Sequence, residues 1–151
     1  MPSSEKLQQL WNLSDTVLYR EAVTFIQQLV NDKGSATLPA SQVTGLLNIA
    51  NAASYAELER FIRHQQERNW PESKKDIKTF YAELEKWFTT VKKRRLKDEF
   101  HLVQEGRNSQ ETNQEIDELM AILAHDFIQH LVAENGLLAV KKASARKRVG
   151  R

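Results

Sequence analysis

The sequence predicts an all-α protein: a single-domain helical bundle of about five helices with a basic C-terminal tail. Three observations predict it. Apolar residues recur at i, i+3 and i+4 through most of the 151 residues. No segment alternates apolar and polar with the period of a strand. Glycine and proline fall at segment boundaries: Gly34, Gly106 and Gly136 close periodic stretches, and Pro39 and Pro71 stand near the start of the next. Gly45 alone interrupts a helical pattern.

The first helix is expected from about Ser14, a good N-cap, to Asn31, with Leu18, Ala22, Phe25, Ile26 and Leu29 inward. A short amphipathic turn with Leu7, Leu10 and Trp11 precedes it. The second begins near Thr37-Leu38-Pro39 and turns Val43, Leu46, Leu47 and Ala50 inward. The third opens with the capping box Ser54 to Glu57, buries Tyr55, Leu58, Phe61 and Ile62, and ends at Trp70-Pro71. The fourth carries the stripe Ile77, Phe80, Tyr81, Leu84, Trp87, Phe88 and Val91. After Lys92-Lys93-Arg94-Arg95 its apolar phase shifts to Leu96, Phe100 and Val103, which predicts a bend or break. A polar loop over 105–113 leads to a second capping box, Thr112 to Glu115. The last helix then points Ile116, Leu119, Met120, Leu123, Phe127 and Leu131 inward until Asn135-Gly136 stops it.

Composition narrows the class. With 40% hydrophobic and 28% charged residues the chain is neither disordered by composition nor membrane-embedded. No apolar run approaches a bilayer span, and Met1-Pro2-Ser3-Ser4-Glu5 lacks a signal-peptide core. Without cysteine there is no disulfide, thiolate metal site or thiol nucleophile, and a reducing cytoplasm is the expected location. Residues 141–151 hold six positive charges and no acid; subtracting those six from the net +2 leaves −4 for the bundle, residues 1–140. A basic tail on an acidic body seeks a polyanion, and whether the tail is ordered is left open.

Two features of the surface point to binding. From Gly34 to Ala56 there is no charged residue, and Ser41, Thr44, Gly45 and Asn48 lie opposite the second helix's apolar stripe. A small, uncharged polar face permits close approach of another backbone; equally, such a helix can be buried on both sides by its own bundle. Basic residues cluster as Arg60, Arg63 and Arg68, as Lys74, Lys75 and Lys78, as Lys92, Lys93, Arg94 and Arg95, and in the tail as Lys141, Lys142, Arg146, Lys147 and Arg148. They suit phosphate contacts, although interleaved acids such as Glu57, Glu59 and Glu83 also suit a solvated, salt-laced surface. Trp11, Trp70 and Trp87 are candidates to stack bases, with Trp87 on the core stripe.

Catalytic patterns are weak. His125-Asp126 has the look of metal-dependent phosphohydrolases, but no Asp follows Asp126, and His125 and His130 lie about 140° apart round a helix. There is no glycine-rich phosphate loop and no G-x-S-x-G. The residues call for no enzyme activity, cofactor or metal.

The run Leu38-Pro39-Ala40-Ser41-Gln42-Val43-Thr44-Gly45-Leu46-Leu47 resembles the leucine–x–x–serine–glutamine segment of the small helical subunit of type III CRISPR effector complexes, particularly the type III-A form. Phe61-Ile62-Arg63-His64-Gln65-Gln66-Glu67-Arg68 resembles that family's second helical block, with Gln65 and Arg68 matching. His64 stands where an aromatic is common, and Thr44 where a basic residue often follows. The resemblance spans Gly34 to Trp70. It implies a non-catalytic helical bundle present in several copies, stacked along an RNA-guided complex with other effector subunits. Such a bundle contacts guide and target RNA, without reading sequence, through Ser41, Gln42, Asn48, Arg60, Arg63, Arg68, Lys92, Lys93, Arg94, Arg95 and the tail residues Lys141, Lys142, Arg146, Lys147 and Arg148. The alternative is a helix-turn-helix DNA regulator using the helices joined at Ala53-Ser54. Against it, Glu57 and Glu59 stand at the would-be recognition helix's N-terminal end.

Overall fold

The computed structural model describes residues 3–52, 54–103 and 109–149. They form five helices and, among the described residues, no strand: α1 over 4–32, α2 at Ala40–Ala52, α3 at Tyr55–Glu67, α4 over 72–98 and α5 at Ser109–Val149. The expected all-α bundle is therefore the architecture found. Ala53 and residues 105–108 of the loop expected at 105–113, Gly106 among them, lie outside the described residues.

Helix α1 starts ten residues before its expected N-cap. Ser3 caps it instead, accepting from the Lys6 N–H at 3.3 Å. Ser14 sits inside the helix, buried, with Oγ 3.1 Å from His130 Nε2. The reason lies in the stripe. Leu10, Ser14, Leu18, Ala22, Ile26 and Val30 are buried at steps of four residues. Steps of four drift by about 40° per step in an ideal α-helix. Two π turns, Ser14–Leu18 and Gln28–Asp32, each wind more residues into a turn and take that drift back.

Helix α4 uses the same device. The phase shift after Val91 is real, but the chain does not break. A π turn at Val91–Arg95 absorbs one residue, so Val91 and Leu96, five apart, are both buried and the helix continues to Asp98. Both π-containing helices end alike. Gly34 (φ +70°) and His101 (φ +54°) turn left-handed, and the next residue's N–H bonds a carbonyl six back: Ser35 to Leu29 and Leu102 to Leu96, each at 2.8 Å.

Helix α5 corrects two expectations. It begins at Ser109, so Thr112 lies within the helix rather than at its cap. It also runs through Asn135-Gly136 to Val149, about 60 Å at 1.5 Å per residue. Asn135 does not stop the helix because its side chain is engaged elsewhere. Oδ1 accepts from the Leu38 N–H at 2.7 Å and Nδ2 donates to the Leu38 carbonyl at 3.0 Å, pinning the segment between α1 and α2. Residues 141–149 of the basic tail are thus the helical end of α5.

The core lies between α1, α4 and α5. Trp87 stacks on Phe127 (3.6 Å between centroids, 9° between planes), with Phe88 edge-on to the same ring and Phe25 edge-on to Phe80 and Phe127. Helices α1 and α5 run in the same direction, with Lys6 paired to Glu115 at one end and Gln27 reaching Glu134 at the other. Among the described residues, no helix is long and apolar enough to cross a membrane.

Candidate nucleic-acid interface

Helix α2 keeps its uncharged face outward. Leu46 is fully buried, Val43, Leu47 and Ala50 are half-buried, and Ser41, Thr44 and Asn48 are exposed. The bundle therefore does not cover α2 on both sides. Gln42 leaves the expected set. It is half-buried, and its Oε1 accepts from the Tyr81 hydroxyl at 3.2 Å. Burial pushes the Tyr81 pKa well above its ordinary value, so the phenol stays protonated and donates.

Helices α3 and α4 pack side by side and bring Arg63, Lys92 and Lys93 to one groove closed by α5. Three carboxylates share it: Glu59, Glu85 and Asp117. Arg63 reaches Glu59 at 3.5 Å. Lys92 lies 3.9 Å from Glu59 and 3.8 Å from Asp117, over the Tyr55 ring at 5.2 Å. One bond to Glu59 leaves most of the five Arg63 donors uncommitted. Arg60, one turn from Arg63, and Lys93 are exposed and have no ion-pair or hydrogen-bond partner among the described residues. Arg94 is exposed beside them in sequence.

Arg95, the fourth member of that basic run, is withdrawn into the bundle. Only 14% of its side chain is exposed. Nη1 and Nη2 grip both Glu21 oxygens at 2.6 and 2.5 Å, Nε reaches Glu99 at 2.5 Å, and the guanidinium stands 4.8 Å from the Phe100 ring centroid. The hydrogen bonds to Glu21 foremost raise its pKa further, so the charge is permanent. Arg95 is a bundle residue and is removed from the candidate interface. Glu21 also accepts from Trp87 Nε1 at 3.0 Å, so this ion pair sits on the core's aromatic stack.

Arg68 is exposed but occupied as the C-cap of α3. It donates to Gln65 Oε1 at 3.1 Å and lies 4.2 Å over the Trp70 ring, whose Nε1 donates to the Gln65 carbonyl at 2.7 Å. Gln65, Arg68 and Trp70 together close the helix, which explains the matched Gln65 and Arg68 without a ligand. Trp87 is core, as its stripe position predicts. Trp11 is the tryptophan left open, 54% exposed. Lys141 is exposed and Lys142 half-buried near the end of α5. Arg146, Lys147 and Arg148 continue that helix, and their side chains lie outside the described residues.

His125 and His130 are each engaged by other side chains of the bundle. His125 Nδ1 lies 3.2 Å from Asp126, and His130 faces Ser14 and the edge of Tyr19. Among the described residues, no three His, Asp or Glu side chains are placed to hold a metal ion. Sequence reading counted Glu59 among the interleaved acids but missed Asp117 and both partners of Arg95. Glu59–Arg63 and Arg95–Glu99 were legible as i, i+4 pairs. Glu21, 74 residues from Arg95, carried no local signal.

Fold and surface define the class: a small all-α bundle with an uncharged helix face, a mixed-charge groove rimmed by exposed cations, and a basic helical end. Comparison with protein-family models, with curated proteins and with solved structures finds no match.

Proposed function

We propose that this chain is a non-catalytic, RNA-contacting structural subunit of a cytoplasmic CRISPR RNA-guided interference complex. It holds the guide and target RNA backbone and stacks with neighbouring copies and other effector subunits. The observation that carries the reading is the groove where Arg63, Lys92 and Lys93 converge, with Arg60 and Arg94 exposed on the same two helices. Cations with unspent donors suit phosphate oxygens, which position a strand without reading its bases. Glu59 and Asp117 hold Arg63 and Lys92 to the groove and keep the cluster from being a featureless positive patch. The exposed Ser41, Thr44 and Asn48 supply uncharged polar contact for a neighbouring subunit, and the basic end of α5 adds Lys141, Lys142, Arg146, Lys147 and Arg148. The resemblance across Gly34 to Trp70 supplies the assembly; the charge pattern supports RNA contact independently of it.

The test has two arms. A tagged pull-down from the native cell, with co-purified RNA sequenced, should recover repeat-derived guides and large partner subunits. Binding of single-stranded RNA by fluorescence anisotropy should weaken equally for unrelated sequences in the triple variant Arg63→Glu, Lys93→Glu, Arg94→Glu. The log–log salt slope should fall by about 2, at about 0.7 per lost contact. Unchanged affinity would remove the groove from the site. Preference for one duplex DNA sequence would replace the RNA reading with the regulator.

A further inference from the structure

Among the described residues, the large apolar side chains left exposed are Trp11, Tyr19, Leu137 and Val140, at 49–64%. All four lie on α1 and α5, the two helices that run together. Along α5, Asp126, His130, Ala133, Leu137, Val140 and Lys141 fall within about 60° of one line, at 100° per residue. The face changes character along its length. At its N-terminal end Asp126 and His130 line a groove with Trp11 and Asp15 of α1. At its centre stands the exposed Ala133. Beyond it come Leu137, Val140 and Lys141. Residues 143–145 are exposed on three successive sides, so the helix has there left the bundle.

We propose that this face is a two-fold interface between two copies of this chain, with their α5 helices antiparallel and crossing at Ala133. The face is complementary to itself only in that register. Asp126 lies seven residues before Ala133 and Val140 seven after it, so antiparallel pairing sets the acidic groove of one copy against the apolar and basic end of the other, twice. Leu137 and Val140 cover the partner's Trp11, and Lys141 meets the carboxylates of Asp15 and Asp126. The small side chain at position 133 lets the helices approach where they cross. One copy cannot satisfy itself, because groove and apolar end lie on the same continuous helix. A two-fold axis makes both halves of the contact identical, which is how most soluble homodimers form. This surface is distinct from the groove and from α2, shares Lys141 with the basic end of α5, and the pairing needs no RNA.

Sedimentation velocity on the purified full-length chain, with no nucleic acid present, should show twice the chain mass at about 10–100 μM, where a micromolar pair is populated. Leu137→Glu with Val140→Glu should give a monomer with unchanged helical circular dichroism, since both side chains are exposed. Asp126→Lys should weaken pairing about tenfold, and adding Lys141→Asp should restore it. The chain has no cysteine, so a single introduced one reports geometry. Ala133→Cys should oxidise to a covalent dimer, while Ala145→Cys, far from the axis, should not. A monomer throughout the concentration range overturns the proposal. So does cross-linking at both positions, which means a parallel pair, or at neither. Loss of RNA binding in the groove variant would leave these results untouched.

Discussion

Lys93 and Arg94 stand next to Arg95 in an unbroken run of four cations, yet neighbours in that run belong to different parts of the molecule. Lys93 lines the groove and is exposed, and Arg94 beside it is exposed as well. Arg95 is 14% exposed and saturated by Glu21 and Glu99 against aromatic rings. Four consecutive helical residues span about 300° of circumference, so a charge run cannot be one site. The π turn at Val91–Arg95 decides which member goes inward: by burying both Val91 and Leu96 it brings Arg95 to Glu21 on α1. A basic run read as a patch therefore divides into an exposed part and a structural part.

The sharpest break of that comparison is Arg95→Met. It keeps the aliphatic stem but leaves the Glu21 carboxylate with the Trp87 N–H as its remaining partner, and should cost about 3 kcal/mol in urea unfolding. Asn135→Ala is next. It strips both hydrogen bonds from the buried Leu38 backbone and should cost about 2 kcal/mol despite alanine's better helix propensity. By contrast Lys93→Glu with Arg94→Glu should shift stability by no more than about 0.5 kcal/mol while weakening RNA binding. A stability loss matching that of Arg95→Met would erase the division.

The smallest effect is acid sensitivity. The hydrogen bond from Arg95 holds the Glu99 carboxyl below its ordinary pKa. Its contribution is therefore present above the unfolded-state value and is lost as pH falls through the lower folded value. Thermal melts should show wild type losing slightly more stability than Glu99→Gln between about pH 5 and pH 3. Equal losses would mean that the Arg95–Glu99 contact is idle in solution.

Much of the architecture was legible. The stripes of α3 and α4, the Ser54 cap and the uncharged outer face of α2 follow from spacing, because each is set by residues within a turn or two of one another. What failed were signals that long-range contacts override. Ser14 has the chemistry of an N-cap but meets His130, 116 residues away. Asn135-Gly136 has the chemistry of a stop but Asn135 meets Leu38, 97 residues away. Of the candidate site, the grouping of Arg63 with Lys92 and Lys93 follows from α3 lying against α4; Gln42, Arg68 and Arg95 turned out to be engaged with Tyr81, Trp70 and Glu21.

The sequence by itself determined the all-α class, the inward faces, the absence of thiol chemistry and the excess of positive charge in the last eleven residues. These depend on composition and on periodicity along one helix. The tertiary structure alone decided that α1 and α4 run through their apparent boundaries by π turns, that α5 carries the basic end as a continuation of the core helix, and which cations are spent. Those outcomes depend on partners tens of residues distant, where a polar side chain's local preference of about 1 kcal/mol yields to burial and paired hydrogen bonds worth more.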